Sequence, residues 1–369
     1  MNNENRLREK MALVDNYLTR LKPSSLNHLK VGTFVDEDIY SSDGSSLLIK
    51  GGNYLDEDAM AKMKSVNKDE DAIYVTNNMH LDMLRRNANE HRKELEKQTG
   101  YTESKKEAVE MLSEIAEDKQ LDTKSILKVS VAVSGRVEST DPSTVFSLIN
   151  ALAPVDEYLQ RHCVNTGMLN GLFGRWMGLS KEKIDRLVLI GLLHDVGKTL
   201  MPYSVLNASR RLTWTEYEVI KMHSLKSYEL LNALPESVRR AARGHHEKYD
   251  GTGYPDGKKG DDISIEARIT AISDVYDALV SQRAYKDSSS PFSIISMIES
   301  MSGSHFDPML VKLFMKNMPG ELIGKKVLMS DGSVGIVDSI DMQNIEYPFV
   351  RVADQLIHSS PNLHCLHML

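Results

Sequence analysis

A His-Asp pair at the end of an apolar helical run constrains this chain more than any other feature. Leu192-Leu193-His194-Asp195 places an imidazole beside a carboxylate, and Lys198 follows three residues later. These ligand types suit divalent transition metals, although the pair alone also fits a polar helix end. Further candidate ligands recur at intervals of roughly thirty residues, which suits consecutive helices of a bundle that each lend one inward-facing ligand. These candidates are His162, His223, His245, His246 and Asp274.

Length and composition favour a soluble protein with more than one folded unit. A chain of 369 residues exceeds one ordinary core, so about two or three units are expected. Hydrophobic content of 41% and charged content of 26% are typical of soluble globular proteins. We expect no membrane span, because no apolar run approaches the roughly 18 to 20 residues that one needs. The lack of a signal-peptide pattern and the presence of only two cysteines predict a cytoplasmic location.

The net charge of -7 argues against a nucleic-acid partner. No block of lysine and arginine is long enough to follow a DNA or RNA backbone. A small anion is a different case, because bound metal ions and a few cationic side chains would dominate the local field. We therefore expect no DNA or RNA partner and keep small anionic substrates open.

Residues 1–77 are predicted to form a small α/β accessory or regulatory module, with a ligand sensor as the alternative. Apolar residues at helical spacing predict a helix over 1–25 that Pro23 ends. Short extended runs follow, and Asp43-Gly44 between two of them favours a β-hairpin. Residues 78–128 carry mixed-sign charge, so we expect a charged helical linker there, with a homodimer seam left open.

Residues 129–320 are predicted to be helical almost throughout. A helix from Pro142 is expected to continue to His162 and beyond, until Gly178 ends it. Thr213-Trp214-Thr215-Glu216 is close to a capping box and predicts the start of the next ligand-bearing helix. A loop of three glycines and a proline follows the two adjacent histidines, and such a segment predicts a shaped turn laid against them.

Residues 321–369 are predicted to form a small C-terminal β segment. Two alternating runs around Asp331-Gly332 favour a hairpin, and residues 349–352 are expected to add a third strand.

The number of candidate ligands favours two metal ions. The candidate ligands from residue 162 to residue 274 are five histidines and two aspartates, which is more than one structural ion needs. Asp195 is the obvious bridge because it stands beside His194. Two nearby ions can lower the pKa of a shared water and clamp both oxygens of a phosphoryl transfer. This pattern therefore favours hydrolysis of a phosphate ester.

Two blocks of the sequence resemble the signature of the HD-GYP family, bacterial cyclic di-GMP phosphodiesterases within the HD superfamily of metal-dependent phosphohydrolases. The first block is His194-Asp195, and the second runs from His245 to Pro255. Similarity extends over residues 145–318, about half of the chain, and includes Phe306-Asp307-Pro308. The resemblance implies a mainly α fold, in which an HD-type helical bundle with a dinuclear metal site forms the catalytic domain at 129–320. The N-terminal β-containing module and the C-terminal hairpin or three-strand segment would flank it.

The resemblance implies two metal positions that share one aspartate. The first position would be held by His162, His194, Asp195 and Asp274. The second would be held by His223, His245, His246 and Asp195. The cofactors would be two divalent transition-metal ions, with iron or manganese favoured.

The resemblance also implies how the substrate, cyclic di-GMP, is held. Lys198 would touch the scissile phosphate and act in catalysis together with Asp195. Arg283 and Lys286 would bind phosphate or a guanine edge. The Gly253-Tyr254-Pro255 loop would also be a contact for domains that synthesise cyclic di-GMP. The residues that shape the pocket would be Gly251, Gly253, Tyr254 and Pro255.

The implied reaction is attack of a metal-bridging hydroxide on phosphorus, which opens the ring to linear pGpG, with hydrolysis onward to GMP left open. Tyr158 stands where three-metal members of the family have glutamate, so two ions are predicted. Met201-Pro202-Tyr203 replaces a common family segment at the rim of the site. This change keeps two alternatives open: a hydrolase of another cyclic dinucleotide, and a cyclic-dinucleotide-binding or scaffold protein with little turnover.

Overall fold

The computed structural model describes most of the chain from residue 92 onward. The described stretches are 92–118, 122–150, 158–206, 212–281, 290–330, 333–352 and 355–368, with residues 90 and 210 and short pieces of 24–76. The helix predicted over 1–25 lies outside the described residues up to Pro23. Arg283, Lys286 and the Tyr158 side chain also lie outside them.

The N-terminal region contains short strands, as its turn signals predict. They are β1 (Ser24–Ser25), β2 (Phe34–Val35), β3 (Ile39–Tyr40), β4 (Leu47–Ile49), β5 (Asn53–Tyr54) and β6 (Ile73–Thr76). β3 and β4 pair antiparallel on either side of Asp43-Gly44, with Ile39 opposite Ile49. The strand order is β1-β6-β3-β4, and β2 pairs with β5.

Helices form most of the rest of the described chain. After a helix over 92–99, they are α1 (Tyr101–Asp118), α2 (Thr123–Ser139), α3 (Pro142–Asn150), α4 (Tyr158–Trp176), α5 (Lys181–Leu193), α6 (Tyr203–Leu206), α7 (Trp214–Leu230), α8 (Glu236–Gly244), α9 (Ile265–Ser281), α10 (Pro291–Ser300) and α11 (Pro308–Asn317). Single 3₁₀ turns span Val196–Leu200, Gly260–Asp262 and Pro319–Leu322.

Local sequence signals account for several helix boundaries. The Thr213 side chain accepts a hydrogen bond from the Glu216 backbone N–H, and the Glu216 side chain accepts one from the Thr213 backbone N–H. The predicted capping box is therefore present. Gly178, with φ of 64°, follows the end of α4. The continuous helix expected from Pro142 to His162 is seen as α3 and α4, and residues 151–157 between them lie outside the described part of the chain.

Close helix contacts at glycines bring the ligand-bearing elements together. α4 packs on α5 so tightly that a Cβ at Gly191 would lie 2.5 Å from Gly167 Cα. α7 packs equally closely on the Val196–Leu200 turn, because a Cβ at Gly197 would lie 2.1 Å from the His223 carbonyl oxygen. Side chains larger than hydrogen at these positions would push the ligands on neighbouring elements apart.

Helices α1 and α2 belong to the packed bundle. Both bury apolar faces that join one core cluster with α4 and α5. The border predicted between a charged linker and the helical domain, at residues 128 and 129, lies inside α2. The division of the chain into four segments stays a prediction.

The C-terminal segment is an antiparallel sheet of five strands rather than the predicted three. The strands are β7 (Lys326–Met329), β8 (Val334–Ser339), β9 (Phe349–Val352), β10 (Gln355–His358) and β11 (Cys365–Met368), in the order β10-β9-β8-β7-β11. The predicted hairpin and third strand are β7, β8 and β9. β10 and β11 were not predicted, because neither follows a strong turn signal and β11 pairs with the distant β7 through an irregular register. Across the described residues, no helix has the length and apolar character to cross a membrane.

Candidate metal centre

The structure brings the seven predicted metal ligands together as two adjacent clusters. The ligands come from α4, α7 and α9 and from the residues that follow α5 and α8. Cluster A consists of His162, His194 and Asp274. Cluster B consists of Asp195, His223, His245 and His246. Within each cluster the potential ligand atoms lie within 4.8 Å of one another.

Asp195 lies between the two clusters and turns one oxygen to each. Its Oδ2 is 3.3 Å from His194 Nε2 and 3.6 Å from His162 Nε2. Its Oδ1 is 3.2 Å from His223 Nε2 and 3.7 Å from His245 Nε2. This is the placement that a carboxylate bridging two cations needs.

Backbone carbonyls orient three of the histidine rings. Nδ1 of His194, His223 and His245 lies 2.8, 2.6 and 2.8 Å from the carbonyl oxygen of the residue three positions earlier. A proton on Nδ1 then donates to that carbonyl, so Nε2 is the ring nitrogen that faces Asp195 and is left available for a metal ion. The helical turn before each ligand therefore sets its tautomer.

His162 is oriented by a carboxylate instead, and this contact was missed at the sequence level. Its Nδ1 lies 2.7 Å from Asp277 Oδ2, and Asn165 Nδ2 donates to Asp277 Oδ1 at 2.6 Å. Asp277 follows Asp274 by three residues on α9, and Asn165 follows His162 by three on α4. That spacing puts each pair on one helix face, which is the signal that could have found them.

Carboxylates hold protons on the histidines of cluster A in the metal-free protein. Burial lowers the pKa of His162, but hydrogen bonds to Asp274 and Asp277 outweigh it and raise the pKa to about 10. Burial likewise opposes the neighbouring carboxylates at His194, where Asp195 and Asp274 raise the pKa to about 9. The pKa of Asp274 lies well below its usual range, because both imidazolium groups outweigh its burial.

His245 and His246 of cluster B are neutral. Burial and the neighbouring His246 hold the pKa of His245 well below its usual range. Burial also lowers the pKa of His246, to about 4. These two residues therefore present uncharged imidazole nitrogens, the form that binds metal.

The donor set fits divalent metal ions. Among the described residues, His194 Nε2 and Asp195 Oδ1 are buried polar atoms without a hydrogen-bond partner. Buried polar atoms are normally paired, so two orphans that point into one centre indicate groups that another atom satisfies. Imidazole nitrogens together with carboxylate oxygens are ligands for first-row transition metals.

Lys198 lies at the edge of this centre. Its ammonium forms an ion pair with Asp195 Oδ2, and 23% of its side chain is exposed. Burial lowers the pKa of Lys198, but Asp195 and Asp274 outweigh it, so the net shift is upward and the side chain stays cationic. The predicted contact with a phosphate stays a prediction.

The glycine-rich loop lies directly against cluster B, as its position after the two histidines predicts. The Tyr254 ring stacks on His246 with centroids 4.7 Å apart. Gly251 adopts φ of 87°, and a Cβ at Gly253 would lie 2.2 Å from the Lys248 backbone nitrogen. Only glycine fits these positions without a shift of the backbone.

Two residues that sequence reasoning missed hold this loop in place. The buried Glu247 carboxylate accepts from the backbone N–H groups of Asp256 and Lys258, at 2.7 and 3.0 Å. Arg243 at the end of α8 forms a bidentate ion pair with Asp256. Glu247 contacts residues nine and eleven positions later in the chain, across the loop. Sequence spacing alone does not predict such contacts.

Comparisons with known proteins agree with this site. Residues 147–310 match the family of HD domains. The chain is 35% identical over 190 residues to the cyclic di-GMP phosphodiesterase response regulator RpfG of Xanthomonas campestris, a match that covers 50% of each chain. It is 34% identical over 185 residues to 3'3'-cGAMP-specific phosphodiesterase 2 of Vibrio cholerae, covering 49% of this chain and 35% of the relative.

The chain thus spans half or less of the length of these two relatives. A solved structure with a similar fold is Bd1817, an HDG"Y"P protein from Bdellovibrio bacteriovorus. It superposes with a TM-score of 0.50 at 14% identity and covers 79% of this chain and 96% of its own. Residues 147–310 of this chain are therefore an HD domain, and the resemblance to the HD-GYP family that the two motif blocks carry is confirmed.

Proposed function

We propose that this chain is a metal-dependent cyclic di-GMP phosphodiesterase that opens the ring to linear pGpG. The position of Asp195 carries the proposal, because Oδ1 lies 3.2 Å from His223 Nε2 while Oδ2 lies 3.3 Å from His194 Nε2. A carboxylate shared in this way suits a two-metal phosphohydrolase. The relative named as a cyclic di-GMP phosphodiesterase supports the substrate.

Clusters A and B would each hold one divalent ion, with Asp195 shared between them. Iron or manganese suits the mixture of imidazole and carboxylate ligands. When bound, the ions would supply Lewis-acid activation of water and would neutralise charge on the phosphoryl oxygens.

Lys198 would contact the scissile phosphate. In the metal-free protein its ammonium pairs with Asp195. Cations beside Asp195 compete for that carboxylate, which leaves the ammonium available for a substrate oxygen that gains charge in the transition state. Two divalent cations and Lys198 together outweigh the carboxylates of Asp195, Asp274 and Asp277, so the loaded pocket attracts a phosphodiester anion.

The loop after cluster B would form one wall of the substrate pocket. Its backbone is fixed at Gly251 and Gly253, and Tyr254 offers a flat aromatic surface beside His246 that suits a nucleobase. The segment from Gly253 to Pro255 is half-buried, which leaves part of it accessible to a domain that synthesises cyclic di-GMP. Arg283 and Lys286 are kept as proposed contacts to phosphate or a guanine edge.

A second candidate substrate is the mixed nucleotide 3'3'-cGAMP. The similarity to a relative named as specific for it favours this candidate, at 34% identity. The departure at Met201-Pro202-Tyr203 lies just after the turn that carries Lys198, where a change would alter the rim of the pocket. Both candidates use the same metal ligands, so only the nucleobase contacts separate them.

Product analysis on protein purified without oxygen and loaded with Fe²⁺ or Mn²⁺ tests the proposal. We expect cyclic di-GMP to be converted to pGpG with a higher kcat/KM than 3'3'-cGAMP, and a chelator to abolish turnover of both. A reversed preference would assign the second candidate. Binding of both nucleotides without hydrolysis by the loaded protein would contradict the proposed activity.

A further inference from the structure

A chain of hydrogen bonds leads from His162 out of the metal centre to the first residue of α1. His162 Nδ1 lies 2.7 Å from Asp277 Oδ2, and Asn165 Nδ2 donates to Asp277 Oδ1 at 2.6 Å. The Tyr101 hydroxyl donates to Asn165 Oδ1, also at 2.6 Å. We call these four residues the His162 relay; they join α1, α4 and α9.

Every member of the relay is buried, with 2% exposure or less. A polar group that loses its partner there stays unpaired, because water does not reach it. Burial also raises the pKa of Tyr101 far above its usual value, so the phenol keeps its proton and continues to donate. The Tyr101 hydroxyl therefore remains the donor at the outer end of the relay.

Each bond in the relay fixes the orientation of the next group. Both oxygens of the Asp277 carboxylate face donors, Oδ1 the amide NH₂ of Asn165 and Oδ2 the Nδ1 of His162. Asn165 then presents its carbonyl to α1, where Tyr101 supplies the donor. Asp277 thereby keeps His162 Nε2 directed into cluster A, 3.0 Å from Asp274 Oδ1.

Tyr101 reaches this centre from outside the HD domain match at 147–310. α1 starts after a sharp turn at Gly100, which has φ of 65°. The helix packs against α4 and also against the 3₁₀ turn that carries Lys198. A displacement of α1 would therefore take the hydroxyl donor away from Asn165.

We propose that Tyr101 is a positioning residue for cluster A, and that the seating of α1 against α4 sets the affinity of this cluster for its metal ion. The inference rests on the proposed function, which supplies the ion. Tyr101 acts on His162 through the hydrogen bonds of Asn165 and Asp277. A signal that shifts α1 would thus change the occupancy of cluster A and spare cluster B.

Titration of the metal-free protein with Mn²⁺ alone, without substrate, tests the proposal. Tyr101→Phe is expected to weaken one binding step about 3- to 10-fold and to leave the other unchanged. The loss is smaller than the roughly 10- to 100-fold cost of deleting a direct second-shell partner, because Tyr101 is one contact further out.

Tyr276→Phe is the matched control for this titration. Tyr276 is another fully buried tyrosine, and its hydroxyl donates to Asn150 Oδ1 at 2.9 Å, off the relay. It should bind both ions as the wild type does. The proposal is overturned if Tyr101→Phe also binds both ions with wild-type affinity, or if Tyr276→Phe weakens the same step equally.

A double variant separates the relay from a general loss of stability. Asn165→Ala is expected to weaken the same step about tenfold. Adding Tyr101→Phe to it should cost nothing more, because Tyr101 acts only through Asn165, whereas additive losses would overturn the relay. A wild type that binds two Mn²⁺ but hydrolyses no cyclic dinucleotide would refute the proposed function alone; one that binds no Mn²⁺ would refute both.

Discussion

The histidines of cluster A contact carboxylates, whereas those of cluster B lie mainly beside one another. His162 contacts Asp274 and Asp277, but the His245 ring lies with its centroid 4.0 Å from that of His246. The pKa of His162 is accordingly raised to about 10, while that of His246 is lowered to about 4. The same residue type in the same buried centre thus takes opposite proton affinities, and the neighbouring groups decide which.

Asp195 is the carboxylate that the two clusters share. Without Asp195, cluster B would have only imidazole nitrogens as ligands. Cluster A would keep a single ligand carboxylate, that of Asp274. One oxygen of Asp195 faces each cluster, so a single side chain gives both an anionic ligand. We therefore expect the clusters to be separable by mutations in their own ligands and to fail together when Asp195 is removed.

Mutating one histidine in each cluster tests whether the clusters bind their metal ions separately. These variants are expected to have the largest effect of the changes proposed here. His162→Ala and His245→Ala should each lower the metal content from two ions to about one, because each removes a ligand of one cluster. Activity should fall by at least about 100-fold, above the 10- to 100-fold that outer-shell changes cost. Metal analysis and steady-state kinetics measure both effects, with the exposed His358→Ala as the control. Unchanged stoichiometry in either variant would reassign that ligand.

Replacing Lys198 should separate metal binding from catalysis. Lys198→Met keeps most of the length of the side chain but removes the ammonium that pairs with Asp195. We expect full metal content and a kcat lowered about 100-fold, the usual cost of losing one group that stabilises transition-state charge. Lys226→Met removes an exposed lysine that pairs with Glu229 on α7 and should change neither quantity. If Lys198→Met loses metal and Lys226→Met does not, Lys198 has a structural role in the metal centre instead.

The stability of the metal-free protein should depend on pH through the histidines of cluster A. This effect is expected to be smaller than those of the two preceding predictions. The raised pKa values of His162 and His194, about 10 and about 9, mean that their protons stabilise the fold fully below the unfolded pKa of about 6.5. This contribution is lost progressively as the pH rises from about 6.5 to about 10, so the Tm of metal-free protein should fall over that window. His162→Ala should flatten the fall, whereas His246→Ala, whose pKa is about 4, should not. An equal slope in all three proteins would contradict the assignment.

Local sequence signals predicted the parts of the fold that depend on near neighbours. The capping box at Thr213 and the hairpin at Asp331-Gly332 involve residues that lie within a few positions of one another. β11 was missed because its partner, β7, lies far away in the chain: Cys365 pairs with Met329. Long-range pairing depends on the packing of the whole bundle, and no short motif records it.

The same limit applies to the centre itself. The clustering of the candidate ligands could be predicted because histidine and aspartate at helical intervals have few structural uses in such number, as at His194 and Asp195. The residues that orient them could not, because Asp277 meets His162 across 115 positions and Tyr101 meets Asn165 across 64. Tyr101 lies in a charged helical stretch, and nothing in that stretch indicates that its hydroxyl donates to Asn165.

Metal quantification of Asp195→Ala, paired with product analysis, tests the central claim that this carboxylate serves both clusters. Asp185→Ala, an aspartate on α5 that pairs with Lys181 at the surface, is the matched control and should keep two ions and full hydrolysis. We expect fewer than one ion per chain in Asp195→Ala and no detectable pGpG. Retention of two ions, or of full hydrolysis, in that variant would contradict the claim.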